Sequence, residues 1–309
     1  MKILIFGRGA IGSQYAWAFE KAGHITEFYV REGRKAEYGS HVDLEMWDTR
    51  REKKDRLVKE KWPIVMHEEM KEDHDYDLIF LSVNPEQVSN AAKYIAPRVG
   101  QATVLFFSNF WQDPKEALSP IPPSQIVYGF PSAGGGFEGN SLYGGLYKTA
   151  ELGTFNTAPT KRDLEVRELF SSAGFKVKSN KDFQSWLWNH FAFNVAMEVE
   201  VLKSGSFKNA VSSSESLAGI GSNMKELAKV LEAKGAKLGA LTKVLRILPP
   251  KVVGFFLSKM VFSPNGMSYA LVEHNHYKVG PSVLEVIADA RKYGIDTPRL
   301  YDVERFITL

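Results

Sequence analysis

No cysteine occurs among the 309 residues. Disulfides, thiolate metal sites and a thiol nucleophile are thereby excluded, and the chain fits a cytoplasmic setting. One-sided charge is missing as well, since 39 lysines and arginines against 36 aspartates and glutamates leave a net charge of +3. So even a balance implies neither a nucleic acid nor an anionic membrane as partner. Nor is there an uninterrupted apolar run of about twenty residues, the length that a membrane-spanning helix requires. The nearest approach, Val244 to Phe262, contains Pro249-Pro250, Arg246, Lys251 and Lys259; it reads as a helix pair buried in a core or in a subunit contact. Internal repeats and low-complexity tracts are absent. Met1-Lys2 runs straight into a strand, which leaves no room for a signal peptide.

What is present is enough chain, 44% hydrophobic and 24% charged, for two domains with separate cores. The apolar run Ile3-Leu4-Ile5-Phe6 is followed at once by Gly7-Arg8-Gly9-Ala10-Ile11-Gly12 and then by a helical stretch, Ser13 to Lys21. This is the arrangement of a dinucleotide-binding turn. Gly7 permits the tight exit from a buried strand, Gly9 lets backbone amides approach a pyrophosphate, and Gly12 lets the helix pack closely on the strand. Unpaired N–H groups and the positive end of the helix dipole then face the phosphates.

A second strand, Ile25 to Val30, ends at Arg31, where NAD-specific folds place an acid on the ribose diol. A cation there favours NADP: Arg31, with Arg34 and Lys35 behind it, can bind a 2′-phosphate through charge-assisted bonds worth roughly 1.5–3 kcal/mol each. The alternative is that these cations only solvate an exposed loop.

Further along, Asp77 to Val83 reads as a buried strand, Pro85 to Ile95 as a helix and Thr103 to Phe107 as another strand. Strands alternating with helices predict an α/β, Rossmann-type doubly wound parallel sheet, with ligands beyond the carboxyl ends of its strands. Asn84 and Asn109 occupy two of those ends and can line the cofactor crevice. The glycine-rich stretch Tyr128 to Phe155 suggests hairpins closing the sheet. A helix around Leu164 to Phe170, stopped by Gly174, and a strand from Phe175 to Lys178 complete a first domain over residues 1–180. From Lys181 onward helical spacing dominates, over Phe183–Lys203, Asn223–Leu241, Val244–Phe262 and Val283–Tyr293, so residues 181–309 should form an all-helical domain.

Several of these features together resemble the ketopantoate reductase (2-dehydropantoate 2-reductase) family. They are the glycine turn with Ala10-Ile11, Arg31 after the second strand, Tyr76-Asp77-Leu78-Ile79 leading to Val83, the Ser108-Asn109 loop, the Trp188 to Asn194 helix and the closing Gly294-Ile295-Asp296-Thr297-Pro298. The resemblance implies an NADPH-dependent reduction of a small 2-keto acid, a Rossmann domain and a helical domain with the substrate between them, and a possible homodimer formed through the second domain. The family's helical motif runs tryptophan, any residue, lysine, leucine, two residues, asparagine, with a second asparagine four further on. Here the catalytic lysine position holds His190, Asn194 matches the first asparagine, and Glu198 stands in the place of the second. Asn84 replaces a lysine after the third strand, and Asn109 matches the loop asparagine. Ungapped counting from Thr297-Pro298 puts Lys278 where the family has a substrate-binding glutamate and Ser268 near its upstream serine.

Spacing alone places His190, Asn194 and Glu198 on one helical face, able to point into a single cleft. Ketone reduction needs a hydride and a proton or positive charge at the developing alkoxide. A histidine with a glutamate nearby is expected to stay protonated near neutral pH and to act as the acid; alternatively it is a core histidine satisfied by Asn194 or Glu198. Lys278, with His274 and His276 beside it, is a second candidate for the acid or an anchor for a carboxylate. His274-Asn275-His276 lacks an identifiable third ligand, so no metal is expected. Two functions remain open at this stage. One is a reductase of a small 2-keto acid or related carbonyl, and the other is an NADP(H)-binding protein of the same fold that has lost turnover and acts as a sensor or regulator.

Overall fold

The structure is a computed structural model that describes residues 1–263, 266–275 and 277–307. Contacts divide the chain into two compact units: Met1–Asn109 with Asp113–Phe183, and Phe110–Gln112 with Gln184–Leu309.

In the first unit, the buried run Ile3-Leu4-Ile5 lies inside strand β1 (Lys2–Phe6), which leads through the glycine turn into the helix Ala10–Lys21. Chain order then gives β2 (Ile25–Tyr29), β3 (His41–Asp48), β4 (Leu57–Pro63), β5 (Met66–His67), β6 (Leu78–Leu81) and β7 (Thr103–Phe107). It continues with β8 (Ile126–Phe130), β9 (Ala133–Glu138), β10 (Ser141–Leu146), β11 (Thr149–Gly153) and β12 (Lys176–Asn180). Eight strands form one sheet in the order β12-β11-β8-β7-β6-β1-β2-β5. Its central pairs are parallel, with Ile5 opposite Phe28 on one side and Phe80 on the other. This is the expected Rossmann-type core, and the sheet is mixed because β11 runs antiparallel to β8.

The glycine-rich stretch does contain a hairpin, β9–β10, but it does not close the main sheet. It pairs instead with the β3–β4 hairpin in a separate four-stranded sheet, β10 lying parallel to β3 with Leu142 opposite Leu44. The physical reason is the alternation along β3, where Val42, Leu44 and Met46 are buried and need a partner face. Helix boundaries follow local chemistry. Thr160 and Asp163 form a reciprocal capping box at the start of Lys161–Ser172. Between helices and sheet lies an aromatic core in which Tyr15 meets Phe107 edge-on at 5.0 Å and Phe19 meets Phe170 at 5.2 Å.

In the second unit every regular element among the described residues is a helix, with Phe183–Ser204 and Ser214–Ala233 as the long ones. The helix expected over Asn223–Leu241 therefore begins earlier and stops sooner, at the left-handed Gly235. The segment Val244–Phe262 does hold the expected helix pair, broken at its prolines. Ala240–Ile247 ends before Pro249-Pro250, Pro250–Phe256 follows, and a π-turn closes it at Leu257–Val261. Leu245, Val253 and Leu257 are buried, but Ile247 and Met260 are 78% exposed and Phe255 is 60% exposed, so this is not a pair of helices enclosed in the core of the chain. Among the described residues no helix is long and apolar enough to cross a membrane.

Candidate functional site

The glycine turn is built as its sequence requires. Gly7 has φ +93°, a conformation that L side chains rarely adopt, and its N–H donates to Tyr29 O at 2.8 Å. A Cβ on Gly12 would lie 2.8 Å from the Ile5 side chain, so helix and strand touch only because it is absent. A Cβ on Gly9 would meet no protein atom within 4 Å. The space in front of Gly9 is therefore open for a ligand. Gly9 caps the helix Ala10–Lys21 without a side-chain hydrogen bond, and no acidic residue lies in the first turn, so the amino-terminal N–H groups are available to an anion.

These groups open onto a cleft of about 530 Å³. Its lining includes Arg31, Arg34 and Tyr38 after β2 and Val83, Asn90 and Tyr94 after β6. Tyr29 and Tyr94 stack across its floor with centroids 4.8 Å apart. Asn90 and Tyr94 were not singled out from sequence, although their i,i+4 spacing on the helix Val88–Ile95 is a readable sign that they share a face. Arg31 is exposed, and Arg34 pairs with Glu37. Asn84 is exposed and lies outside the lining, whereas its neighbour Val83 belongs to it. Asn109 follows β7; its Oδ1 is buried and has no hydrogen-bond partner among the described residues, while Ser108 Oγ ties the loop to Val83 O at 3.0 Å.

In the helical unit, His190, Asn194 and Glu198 lie along Phe183–Ser204. The ring of His190 is stacked on Trp186, with centroids 5.4 Å apart and planes 11° from parallel. Burial pulls its pKa down to about 4, which overturns the expectation of an imidazolium at neutral pH: desolvation of the ring acts against the charge. Asn194 is half-buried, and its side chain makes no hydrogen bond with any described residue. Glu198 is buried and accepts from Gly280 N at 3.2 Å and from Ser282. Burial pushes its carboxyl up to about 7, and the nearby Glu285 adds to the rise. Glu198 is thus engaged at the start of the helix Pro281–Lys292. Lys278 is exposed on the preceding loop, and Ser268 sits half-buried in the first turn of the helix Met267–Val272. His276 lies outside the described residues.

A pH test follows from Glu198. Its ordinary pKa of 4.5 applies to the unfolded chain and about 7 to the folded one. The stability it contributes is complete below pH 4.5 and is lost as pH rises through 7. Between pH 5 and 8 the parent should lose roughly 2–3 kcal/mol that Glu198→Gln does not lose. Thermal melts at both pH values check this; equal losses in the two proteins would mean that the carboxyl ionises as easily folded as unfolded.

Comparison with known proteins places this geometry. The model of the family Ketopantoate reductase PanE/ApbA matches residues 3–156. The chain belongs to the ketopantoate reductase family. A 2-dehydropantoate 2-reductase of Vibrio cholerae serotype O1 is 23% identical over 200 residues, a stretch that spans 64% of this chain and 62% of that enzyme. The PanE/ApbA family ketopantoate reductase of Ralstonia eutropha JMP134 superposes with a TM-score of 0.73 at 17% identity, covering 99% of this chain and 96% of that one. A D-mandelate dehydrogenase solved with NADH and anilino(oxo)acetate gives a TM-score of 0.71 at 17% identity over the same shares. His190, which the sequence pattern sets at the family's lysine, lies outside the matched residues 3–156.

Proposed function

We propose that the chain is an NADPH-dependent reductase of a small 2-keto acid or a related carbonyl compound. The observation that carries the reading is the cleft at the glycine turn with Arg31 on its wall, where an NAD enzyme would hold an acid. The uncapped amino terminus of Ala10–Lys21 and the open space before Gly9 fit a diphosphate. When bound, the nicotinamide supplies the hydride.

The chain's own groups do the rest. His190, neutral near pH 7, offers a ring N–H that polarises the carbonyl oxygen as charge develops there, and solvent supplies the proton that the resulting alkoxide takes up. The amide of Asn194, which bonds to no described residue, orients the same oxygen. Asn109 brings a buried carbonyl that needs a donor and can accept from a ligand amide or hydroxyl. Lys278 supplies an exposed cation for the substrate carboxylate.

Oxidation of NADPH, followed by its absorbance across a panel of 2-keto acids, tests the reading. Consumption with at least one of them is expected. Tight NADPH binding with no consumption by any would instead favour a cofactor-binding protein without turnover. Arg31→Ala is expected to weaken NADPH by about one to two powers of ten and to leave NADH within a factor of about three. Calorimetric titration with both nucleotides measures this, and equal losses would remove Arg31 from phosphate recognition.

A further inference from the structure

Arg8 occupies the variable second position of the glycine turn, yet its side chain is the most unusual charge in the first unit. It is 8% exposed, and no acidic side chain lies within ion-pair distance of it among the described residues. Its guanidinium carbon sits 4.2 Å from the ring centroid of Phe137 and 4.8 Å from that of Tyr38. One terminal nitrogen donates to Asn140 Oδ1, while Nε is buried without a partner among the described residues. Burial lowers its pKa. A cation held in this way by two ring faces and one amide oxygen is only partly compensated, because burying a charge demands an opposite charge or a full set of hydrogen bonds. The residue also lines the cleft that contains Arg31 and Arg34. Of those two, Arg34 already has Glu37 as its carboxylate.

We propose that the Arg8 guanidinium is a second recognition group for the adenosine 2′-phosphate, acting with Arg31 on one phosphate monoester. The inference rests on the NADPH reading above and extends it to a residue whose position in the motif calls only for backbone. Two sources of anion exist in the cofactor, the diphosphate and the 2′-phosphate. The amides of the turn and the helix terminus serve the first, whereas the contact with Tyr38, on the helix Arg34–Tyr38 that follows β2, places Arg8 on the side of the second. Two guanidinium forks converging on three phosphate oxygens suit the planar, bidentate chemistry of arginine.

The test compares the full-length parent with Arg8→Met, which keeps the length of side chain between the two rings, and with Arg8→Lys, which keeps the charge without the fork. Dissociation constants for NADPH, NADH, 2′,5′-ADP and 5′-ADP are measured by calorimetry, together with melting temperatures of the ligand-free proteins. Arg8→Met is expected to weaken NADPH and 2′,5′-ADP about 10- to 50-fold, to change NADH and 5′-ADP less than about threefold, and to leave the ligand-free melting temperature equal to or above that of the parent. Arg8→Lys should fall between. Equal weakening of all four ligands would assign Arg8 to the diphosphate and overturn the proposal. No weakening of any, or a destabilised ligand-free protein, would make its charge a structural feature of the fold and overturn it equally. If the parent itself binds NADH as tightly as NADPH and Arg31→Ala changes neither, the NADPH reading fails first, and Arg8 is then judged on 2′,5′-ADP against 5′-ADP alone.

Discussion

His190→Ala is expected to bind NADPH as the parent does and to turn over its keto acid about 10²–10³ times more slowly, the loss that follows removal of one preorganised donor from a developing oxyanion. The imidazole, with its pKa drawn down to about 4, carries a proton in only about one molecule in a thousand at pH 7. The parent's kcat should therefore show no inflection from this ring between pH 5.5 and 8. A second variant separates donor from acid: His190→Gln keeps an N–H and should recover part of the rate, and it too should be flat with pH. An inflection near 6.5 in the parent, absent from both variants, would restore the imidazolium as proton donor. Unchanged turnover in His190→Ala would remove the residue from the chemistry.

The largest loss of stability is expected from Asp289→Ala. Asp289 Oδ2 accepts from Lys234 Nζ at 2.5 Å and from Trp111 Nε1 at 2.9 Å, and the two charged side chains are only 8% and 12% exposed. Lys234 also lies over the rings of Trp111 at 4.6 Å and Trp188 at 4.9 Å, and Trp188 Nε1 donates to Trp111 O at 2.7 Å. Removing the carboxylate leaves a buried ammonium and a buried indole N–H without their partner, which costs roughly 3–5 kcal/mol. The melting temperature should fall on the order of 10 °C for a chain of this size. Because the fault is the uncompensated charge, Lys234→Met added to Asp289→Ala should recover most of that loss. Denaturant melts of the two single variants and the double variant decide the matter. A double variant as unstable as Asp289→Ala would show that the lost contact, not the stranded cation, carries the effect. This cluster bears on the site, since Trp188 stands two residues before His190 on the same helix and its indole is anchored by Trp111.

The glycine-turn cleft was legible because its information is local. A glycine at φ +93°, a helix packed against Ile5 and a cation after β2 are each written within a few residues of where they act. The four-stranded sheet was not legible. Val42, Leu44 and Met46 alternate visibly, but their partner strand β10 lies about a hundred residues away, and no local pattern states a register across that distance.

The helical face shows the same division within one element. Sequence by itself determined that His190, Asn194 and Glu198 share a face, because helix geometry repeats every 3.6 residues. Only the tertiary structure decided their charge. It set Trp186 flat against His190 and brought Gly280, Ser282 and Glu285 from elsewhere in the chain to Glu198. It likewise took Arg8, an unremarkable position in a glycine turn, and buried it between two rings. Periodicity is a property of the backbone and can be read along the chain; protonation depends on solvent excluded by distant residues, and that exclusion exists only once the chain has folded.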